Sequence, residues 1–346
     1  MTSSSAIDTA IIGAGIAGLA CARVLQEAGQ PVTLFEKARG PGGRMSSRHL
    51  PDAVVDLGAQ FFSVRDPEFG RQVRAWREAG CAEAWPGSLW SAQAQGWQRH
   101  RDRLERFIGS PRMSAVTRHL AEGLTITSET RIVRLAGSAG HWELVDEHGE
   151  HHGPYARVVI SAPSPQAHAL VAPCDASLAA ACEGVIQRPC WSAWALFDTP
   201  LPALPGVDDD WQAVRMGPEG PLRFVTRNHR KPGRTDQGES LTLIAHLAWS
   251  ETRLEDSPET VVEALLAAFQ SALPDDVRLP EPSDLGAHRW RYAQPDVFAA
   301  GETVNRDYRR SASGLALCGD GWRGPRIEDA WLSGHHLGEA LAADAS

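Results

Sequence analysis

The N-terminal part of the chain alternates apolar runs of two kinds. A β-branched run over Thr9–Ile12 predicts a buried strand, and the segment rich in Ala, Leu and Val from Ile16 onward predicts a helix. A second short apolar run over Val32–Phe35 predicts another strand, which leads directly into Glu36. A strand, a helix and a strand within ~30 residues indicate a βαβ unit, and therefore an α/β fold.

Further along, the pattern predicts a β-meander inserted into this α/β domain. Residues 125–162 contain short alternating segments with turns at Gly137–Gly140 and His148–Gly149, and the last segment, Val158–Ser161, is a buried apolar run. Helical spacing over Glu68–Gly80 and Met113–Leu124 predicts two helices before the meander. A meander that returns into the main sheet is typical of a Rossmann-like FAD-binding domain of the glutathione-reductase type.

The sequence pattern of residues 163–286 differs from that of the rest of the chain. Proline-rich loops separate segments that alternate with period two, which predicts a sheet with one exposed or ligand-facing side, and Leu241–Ser250 is one of its strands. We therefore predict a second, mixed-sheet substrate domain formed by residues 74–104 and 166–285. Residues 1–73, 105–165 and 286–346 form the predicted FAD-binding domain.

The turn after the first strand carries the motif GAGIAG. Gly13 allows a tight turn, Gly15 lets the backbone approach a pyrophosphate, and Gly18 lets the helix lie close to the strand. The N–H groups of the helix from Ile16 onward form a positive end that binds phosphates. Glu36 is placed to accept hydrogen bonds from the hydroxyls of an adenosine ribose. These features predict a bound dinucleotide and leave NAD and FAD open.

Two segments after the second strand favour FAD over NAD. The first, RGPGGRMSSR, supplies Gly43 and Arg44 where a flavoprotein loop crosses back over the cofactor and an arginine meets the diphosphate. The second, VVDLGAQFFS, offers Ala59, Gln60 and Phe61 where a backbone runs beside a flat ring.

A third segment, GDGWRGPRIEDAWLSG, looks like a second glycine-rich turn before a second helix. Asp320 lies at the end of a predicted buried strand, where it can bind the ribityl chain or approach the diphosphate. The helix that begins near Ile327 can direct its N–H groups at the flavin pyrimidine. Reduced flavin is anionic there, and a helix dipole contributes about 0.3–1 kcal/mol at a surface. NAD binding needs no such element, so this segment favours a flavoprotein.

Composition argues against several classes of function. The formal net charge of -9, without a basic stripe, disfavours a nucleic-acid partner. No apolar run approaches the roughly 18–20 residues of a membrane span, so we expect a cytoplasmic protein without membrane contact. The six cysteines are scattered and the histidines lack metal-ligand spacing, so we expect reduced thiols and no metal.

Taken together, these segments resemble the bacterial renalases, within the larger superfamily of FAD-dependent amine oxidases. The resemblance rests on GAGIAGLACARVL, GPGGRMSSR, DLGAQFFSVRDPEF, FIGSPRMSAV, HRWRYA and CGDGWRGPRIEDAWLSG. The FAD contacts that it implies fall on Gly13, Gly15, Ile16, Glu36, Arg44, Gln60, Phe61, Val133, Asp320 and Ile327. Gly18, Lys37, Gly43 and Ala59 complete the predicted cofactor set. Core packing is an equal alternative for Val133, and no residue stands out as a point of covalent attachment, so we expect non-covalent FAD.

The resemblance also implies an activity on small molecules. Renalase-like enzymes move a hydride from 1,2- or 1,6-dihydro isomers of NAD(P) to flavin N5, and O2 then takes the electrons, which yields hydrogen peroxide. Hydride transfer depends on alignment rather than on acid–base groups. We therefore predict that His246 and Asn228 align the substrate ring, with Arg291 and Tyr292 as further substrate contacts. A purely structural role for His246 is the alternative. The preference between NAD and NADP isomers and the oligomeric state stay open.

Other classes of function also stay open. One is an amine oxidase or desaturase of the same superfamily. Many amine oxidases hold a water on a lysine near N5, whereas here Lys37 follows the ribose acid and Lys231 is expected in a polar loop. Another is a non-catalytic, FAD-binding redox sensor. A monooxygenase of the hydroxybenzoate type is disfavoured, because Gly-Trp-Arg follows Asp320 where that class has Ala-Ala-His.

Overall fold

The computed structural model describes residues 8–93, 96–100, 104–236, 238–296 and 307–344. Backbone contacts group the chain into two compact units. Unit 1 consists of Met1–Gly43, Thr117–Gln187 and Gln294–Ser346, and unit 2 consists of Arg44–Val116 and Arg188–Ala293.

The α-helices of the described residues are numbered in chain order. They are Ile16–Glu27 (α1), Pro67–Glu78 (α2), Ser114–Ala121 (α3), Ser164–Val171 (α4), Ala176–Glu183 (α5), Leu247–Thr252 (α6), Pro258–Ser271 (α7), Asp320–Arg323 (α8) and Ile327–Ala343 (α9). None of these helices, in the part of the chain that the structure describes, has the length and apolar character needed to cross a bilayer.

The strands are numbered in the same way. They are Thr9–Ile12 (β1), Val32–Phe35 (β2), Ser47–His49 (β3), Val54–Asp56 (β4), Phe62–Ser63 (β5), Ala82–Ala84 (β6), Leu89–Gln93 (β7), Gly96–Arg99 (β8), Arg106–Gly109 (β9), Thr125–Thr127 (β10), Ile132–Ser138 (β11), His141–Asp146 (β12), His151–Tyr155 (β13), Arg157–Ile160 (β14), Ile186–Phe197 (β15), Ala213–Arg215 (β16), Leu222–Arg227 (β17), Glu239–Ala245 (β18), Asp284–Asp296 (β19), Arg309–Arg310 (β20) and Leu315–Leu317 (β21).

Unit 1 contains a six-stranded sheet in the order β10-β2-β1-β14-β21-β20. The first five strands in this order pair in parallel, and β20 pairs antiparallel with β21 at the edge. The predicted strands Thr9–Ile12 and Val32–Phe35 and the helix between them are confirmed, because β1, α1 and β2 have these bounds. The α/β fold with a Rossmann-like domain is therefore confirmed.

The predicted meander also lies in unit 1. It forms a separate antiparallel sheet in the order β11-β12-β13, and β14 then returns the chain to the centre of the parallel sheet. Trp142, Leu144 and Tyr155 of the meander belong to the same apolar core as Val158 and Ile160 of β14. The meander is therefore anchored to the parallel sheet by a shared core.

Glycines allow the close packing of α1 against α9 in unit 1. A Cβ atom on Gly334 of α9 would overlap the carbonyl oxygen of Ala17, and one on Gly338 would lie 3.0 Å from the carbonyl oxygen of Cys21 and 2.8 Å from Cβ of Val24. The helix that begins with the phosphate-binding turn is thus held in place by the last helix of the described chain.

Unit 2 is built on a seven-stranded sheet in the order β19-β15-β18-β17-β16-β7-β8, with α7 against it. Leu241, Leu243 and Ala245 of β18 point into its apolar core, as the alternation predicted. The predicted strand Leu241–Ser250 is too long, however, because β18 ends at Ala245 and α6 begins at Leu247. The backbone N–H of His246 donates to Pro221 and its carbonyl accepts from Ser250, which turns the chain into a helix.

The units and the predicted domains divide the chain differently. Residues 44–73, 105–116 and 286–293 belong to the predicted FAD-binding domain, yet their backbone contacts place them in unit 2. Residues 166–187 belong to the predicted substrate domain, yet they lie in unit 1. The assignment of residues to a cofactor-binding and a substrate domain therefore stays a prediction.

The close packing of α9 on α1 predicts a cost for any side chain at Gly334. Gly334→Ala should lower the free energy of unfolding by about 1–3 kcal/mol, because a methyl group there collides with backbone that cannot move aside easily. Gly40→Ala is the matched control, since a Cβ there has no neighbour within 4 Å. Chemical denaturation of both variants measures the difference, and equal stability of the two would contradict this account of the helix contact.

Candidate functional site

Four parallel strands of unit 1 end at the same edge of the sheet. β2, β1, β14 and β21 are neighbours, so the residues that follow them lie along one carboxyl edge. These residues are Glu36 after β2, Gly13 after β1, Ser161 after β14 and, shortly after β21, Asp320. Ligands of open α/β sheets bind outside the carboxyl ends of the strands. The candidate cofactor site of unit 1 is therefore this edge.

The three glycines of the GAGIAG turn differ in how strongly the fold requires them. Gly13 has a φ of +105°, and a Cβ on Gly18 would overlap the carbonyl oxygen of Gly13, so the fold itself requires both. Gly15 has an extended backbone, with φ −77° and ψ 175°, and a Cβ there would have no neighbour within 4 Å. The protein alone does not require glycine at this position, so the space beside Gly15 fits a ligand that approaches the backbone.

The first turn of α1 is suited to bind an anion. Gly15 provides no side-chain cap, and the turn contains no acidic residue. Unpaired N–H groups at a helix N-terminus and the helix dipole attract phosphate oxygens. Ile16, at the start of this helix, is buried, and only its backbone is suited to contact a phosphate.

Glu36 is held in place by backbone donors. Its carboxylate accepts hydrogen bonds from Ala14 N at 2.8 Å and Ala38 N at 2.9 Å, and the residue is 6% exposed. Each carboxylate oxygen has a further lone pair for a ligand hydroxyl. Lys37 is exposed, so its side chain points away from the core of unit 1.

The loop after β2 returns to the phosphate turn. Gly42 N donates to the carbonyl of Ala14 at 3.0 Å, and a Cβ on Gly43 would lie 3.5 Å from Cα of Gly15. The φ of +52° at Gly43 favours glycine. The structure therefore brings Gly43 beside the turn, as the sequence predicted.

The segment around Asp320 differs in part from its prediction. Asp320 is 6% exposed and begins α8, after Gly319, whose N–H donates to Ser333 Oγ at 2.8 Å. Helix α9 begins at Ile327 as predicted, but Glu328 and Asp329 occupy its first turn and are buried. These carboxylates oppose the positive helix end that we expected to stabilise reduced flavin.

Arg326 offsets part of this negative charge. Its guanidinium donates to Asp329 Oδ1 at 3.0 Å, and its backbone N–H donates to Asp329 Oδ2 at 3.1 Å. Burial nevertheless raises the pKa of Asp329. The N-terminus of α9 is thus capped by the protein itself, unlike that of α1.

Val133 is not a core residue. Its side chain is 48% exposed, and it lies at a register shift between Ile132 and Arg134 in the pairing of β11 with β12. Core packing, the alternative for this position, is therefore excluded, and its backbone stays a candidate for a cofactor contact.

In unit 2, Asp56 is the centre of a buried charge cluster. Its carboxylate pairs with Lys231 Nζ at 2.9 Å and with the guanidinium of Arg234, and the three side chains are at most 2% exposed. Ser47 Oγ donates to Oδ1 at 2.7 Å, and Met113 N donates to it at 3.1 Å. Burial acts to raise the pKa of Asp56, but the two cations outweigh it and lower that pKa.

Lys231 lies in a loop before β18, as expected, but the polar setting expected for it was wrong. It is fully buried, and burial lowers its pKa to about 8 although Asp56 acts in the opposite direction. The only sequence signal was the rarity of the residue, since Lys37 and Lys231 are the only lysines of the chain. The local sequence HRKPGR gave no sign of burial.

Gln60 is oriented by this cluster. Its Oε1 accepts from Lys231 Nζ at 3.2 Å, and its Nε2 donates to the carbonyls of Asp56 at 2.6 Å and Gly58 at 3.0 Å. Ala59 N donates to the carbonyl of Arg44 at 3.0 Å, and Arg44 donates to the carbonyl of Ala293 at 3.0 Å. The predicted cofactor residues Arg44, Ala59 and Gln60 therefore belong to one hydrogen-bonded segment of unit 2.

Phe61 lies in an aromatic group next to this segment. Its ring centre is 5.6 Å from that of Trp85 and 6.0 Å from that of Phe224, and Cζ of Arg106 lies 5.7 Å from its ring centre. Phe61 itself is partly exposed, so an edge or face of its ring is available to a ligand.

Asn228 is a buried residue with a structural role in unit 2 and has no exposed surface. It is fully buried, its Oδ1 accepts from Asp56 N at 3.2 Å, and its Nδ2 donates to Thr242 Oγ1 at 2.7 Å. Thr242 Oγ1 in turn donates to the carbonyl of Asp56 at 3.1 Å. Asn228 therefore ties β4 to the large sheet, and its role in aligning a substrate stays a prediction.

The other predicted substrate residues are spread over unit 2. His246 Nε2 lies 2.9 Å from the carbonyl oxygen of Gly217, which favours the structural alternative for this histidine. Arg291 makes a bidentate ion pair with Glu255, at 2.7 and 3.0 Å, and its side chain is 46% exposed. Tyr292 is partly buried. The hydrogen bonds described for His246 and Arg291 do not join them to Asn228.

The charge cluster predicts a large loss of stability for Asp56→Asn. Removing the carboxylate leaves two buried cations without their counter-charge, which should lower the free energy of unfolding by about 3–5 kcal/mol at pH 7. Because the folded-state pKa of Asp56 lies below 3.8, this contribution is present above pH 3.8 and is lost as the pH falls through the folded-state value.

Urea denaturation at several pH values measures this stability. Glu251→Gln is the control, because Glu251 pairs with Arg188 at 2.6 Å on the surface with 52% of its side chain exposed. Exposed pairs contribute less than about 1 kcal/mol. A stability difference between the two variants that stays the same into strong acid would contradict the role given to Asp56.

Comparison with known proteins identifies the fold and the family. The profile of NAD(P)-binding Rossmann-like domains matches residues 11–76, and that of the family described as flavin containing amine oxidoreductase matches residues 78–339. Solved structures agree over almost the whole chain. A chain from Exiguobacterium sp. 255-15 that is provisionally named protoporphyrinogen oxidase has a TM-score of 0.77, with 13% identity over 98% of this chain and 99% of its own. Wild-type putrescine oxidase bound to putrescine has a TM-score of 0.70, with 14% identity over 97% and 99%.

Similarity to curated sequences covers shorter stretches. Hydroxyneurosporene desaturase of Rubrivivax gelatinosus is 46% identical over 55 residues, which are 16% of this chain and 10% of that protein. The bifunctional tRNA-modifying protein MnmC of Magnetococcus marinus is 27% identical over 208 residues, which are 44% of this chain and 29% of that protein. The chain thus spans less than a third of the length of these relatives. Because the amine oxidoreductase profile covers most of the chain, the protein belongs to the family of flavin-containing amine oxidoreductases.

Proposed function

We propose that the protein is an oxidase that binds FAD non-covalently. Two features of unit 1 support FAD over FMN. The space beside Gly15 and the uncapped first turn of α1 suit a diphosphate, and Glu36 at the end of β2 suits an adenosine ribose. FMN has neither of these groups. We further propose that all the predicted cofactor residues contact FAD, namely Gly13, Gly15, Ile16, Gly18, Glu36, Lys37, Gly43, Arg44, Ala59, Gln60, Phe61, Val133, Asp320 and Ile327.

The proposed reaction is the oxidation of misreduced nicotinamides. A 1,2- or 1,6-dihydro isomer of NAD(P) loses a hydride and becomes NAD(P)+, and O2 gains the two electrons of that hydride with two protons to become hydrogen peroxide. Bound FAD would carry these electrons from the substrate to O2. The residues of the chain bind and orient the ring, and the reaction needs no acid or base beyond solvent protons.

The charge around Ala59–Phe61 is the observation that favours a dihydronicotinamide over an amine. Lys231 contacts Gln60, and the one carboxylate of the cluster, Asp56, is already shared by Lys231 and Arg234. An amine that carries positive charge at neutral pH would be repelled here. A dihydronicotinamide ring is neutral, and the phosphates of its nucleotide are anionic.

The predicted substrate residues enter this proposal with different roles. Tyr292 stays the candidate for direct contact with the ring. Arg291 is a candidate for the substrate phosphates if a ligand displaces Glu255 from it. Asn228 acts indirectly by holding Asp56, and His246 by holding the segment at Gly217.

A second candidate function is an amine oxidase or desaturase. The family membership favours it, together with the fold shared with putrescine oxidase and the local similarity to hydroxyneurosporene desaturase. A non-catalytic flavin-binding sensor is the third. Neither accounts for the cationic surroundings of Gln60.

Anaerobic mixing separates the three candidates. The flavin-loaded protein is mixed with 6-dihydro-NAD, 2-dihydro-NAD, ordinary NADH, or amines that include putrescine, and the flavin absorbance band is followed. We expect fast bleaching by the two isomers and little by NADH or amines, and on admission of O2 the band returns with one hydrogen peroxide per substrate. Bleaching by amines alone would overturn the proposal in favour of an amine oxidase, and no bleaching would favour the sensor.

A substitution at Gly15 tests the cofactor site without disturbing the fold. Gly15→Asp places a good N-cap residue at α1, so the stability of the flavin-free protein should be unchanged or slightly higher. Its carboxylate would occupy the space beside the turn and repel a diphosphate, so the affinity for FAD should fall about a hundredfold or more.

Fluorescence titration with FAD and denaturation of the flavin-free protein measure the two effects separately. Gly217→Asp is the control, because a Cβ there also has no neighbour within 4 Å. If Gly15→Asp bound FAD as tightly as this control, the diphosphate site would lie elsewhere.

A further inference from the structure

Lys231, Arg234 and Asp56 leave an excess of positive charge inside unit 2. Two cations face one carboxylate, and the side chains are 0%, 2% and 1% exposed, respectively. Among the described residues, Nε of Arg234 is buried without a hydrogen-bond partner, so the cluster has more donors than acceptors. Solvent screens such a buried charge only weakly, and its field reaches neighbouring groups.

Among the described residues, Lys231 and Arg234 are the charges that lower the pKa of Asp56. From the strand β18, Glu239 is neutralised by Arg227, with hydrogen bonds of 2.7 and 2.6 Å, and His229 Nδ1 lies 3.2 Å from the same carboxylate. From β3 and the start of α3, Asp56 receives the uncharged donors Ser47 Oγ and Met113 N. The cationic excess is therefore not cancelled by these neighbours.

Gln60 connects the cluster to the segment Ala59–Phe61. Its Oε1 faces the ammonium of Lys231, and both hydrogens of its Nε2 face backbone carbonyls. A flipped amide would set its NH2 group against the ammonium and its oxygen against two carbonyls. Lys231 thus fixes the orientation of Gln60 and joins it to Asp56, which the same ammonium group contacts.

We propose that Lys231 is a positioning residue for flavin reduction: by holding Asp56 and Gln60 it fixes the segment Ala59–Phe61 and places a net positive charge beside it, which stabilises the negative charge of reduced flavin. The inference rests on the proposed contact of Ala59, Gln60 and Phe61 with FAD. It gives unit 2 the electrostatic role that we first expected of α9, where Glu328 and Asp329 oppose it.

The charge of Lys231 should change between pH 7 and pH 9. Burial lowers its pKa to about 8, so the ammonium is charged at pH 7 and becomes neutral as the pH rises through 8. Stabilisation of reduced flavin should therefore be strong at pH 7 and weaker at pH 9. An arginine at this position would stay charged over the whole range.

Sulfite binding tests the proposal without the enzymatic reaction. Sulfite bleaches flavins in sites that stabilise negative charge on the ring, and its affinity is measured by absorbance titration of the FAD-loaded protein. We expect Lys231→Met to bind sulfite about tenfold or more weakly at pH 7, Lys231→Arg to retain most of the affinity, and the control Glu251→Gln to match wild type. The ratio of wild-type to Lys231→Met affinity should fall toward one between pH 7 and pH 9, and this ratio cancels the titration of sulfite itself.

The midpoint potential of wild-type flavin is a second readout, and it remains if Lys231→Met fails to fold. Plotted against pH, it should change slope near pH 8, where the lysine loses its proton. Flavin-loaded Lys231→Met with wild-type sulfite affinity, or a wild-type potential without a slope change between pH 7 and pH 9, would overturn the inference. A purified chain that binds no FAD would instead overturn the proposed function, so the two failures are distinguishable.

Discussion

Close approach of backbone to backbone is the constraint on which unit 1 depends. Helix α1 has to lie against β1 on one side and against α9 on another, and only glycine leaves room at the contacts, namely Gly18 beside the carbonyl of Gly13 and Gly334 beside that of Ala17. Because the helix is held along its length by these contacts, its first turn is stable without a side-chain cap. The N–H groups of that turn thereby stay available to an anion.

Unit 2 is organised around a charge instead. The carboxylate of Asp56 accepts hydrogen bonds from four side-chain or backbone groups, and its backbone is bonded to Asn228, which follows β17, and to Thr242 of β18. The backbone of Asp56 therefore holds β4 on the sheet, and its carboxylate sets the orientation of Gln60 through Lys231. The stability of unit 2 and the proposed flavin chemistry therefore depend on the same residue, Asp56. Asn228, which the sequence suggested as a substrate contact, contacts Asp56 in the structure.

Local pattern was a good guide wherever local interactions decide the structure. The bounds of β1 and β2 and the start of α9 followed from apolar period and glycine spacing, and the meander followed from its turns. The strand predicted over Leu241–Ser250 failed at His246, whose carbonyl accepts from Ser250 N in the first turn of α6. The expectation for Lys231 failed because the carboxylate that pairs with it belongs to a residue 175 positions away.

The sequence by itself determined the α/β fold, the GAGIAG turn and the acid that follows β2, because each depends on residues within a short stretch and on the conformational freedom of glycine. Only the tertiary structure decided that Glu36, Gly13 and Asp320 share one edge of a sheet, since this depends on the strand order. It also decided that Val133 is exposed and that Lys231 is buried with Asp56. Burial and charge pairing are properties of residues brought together from distant parts of the chain, and no local pattern encodes them.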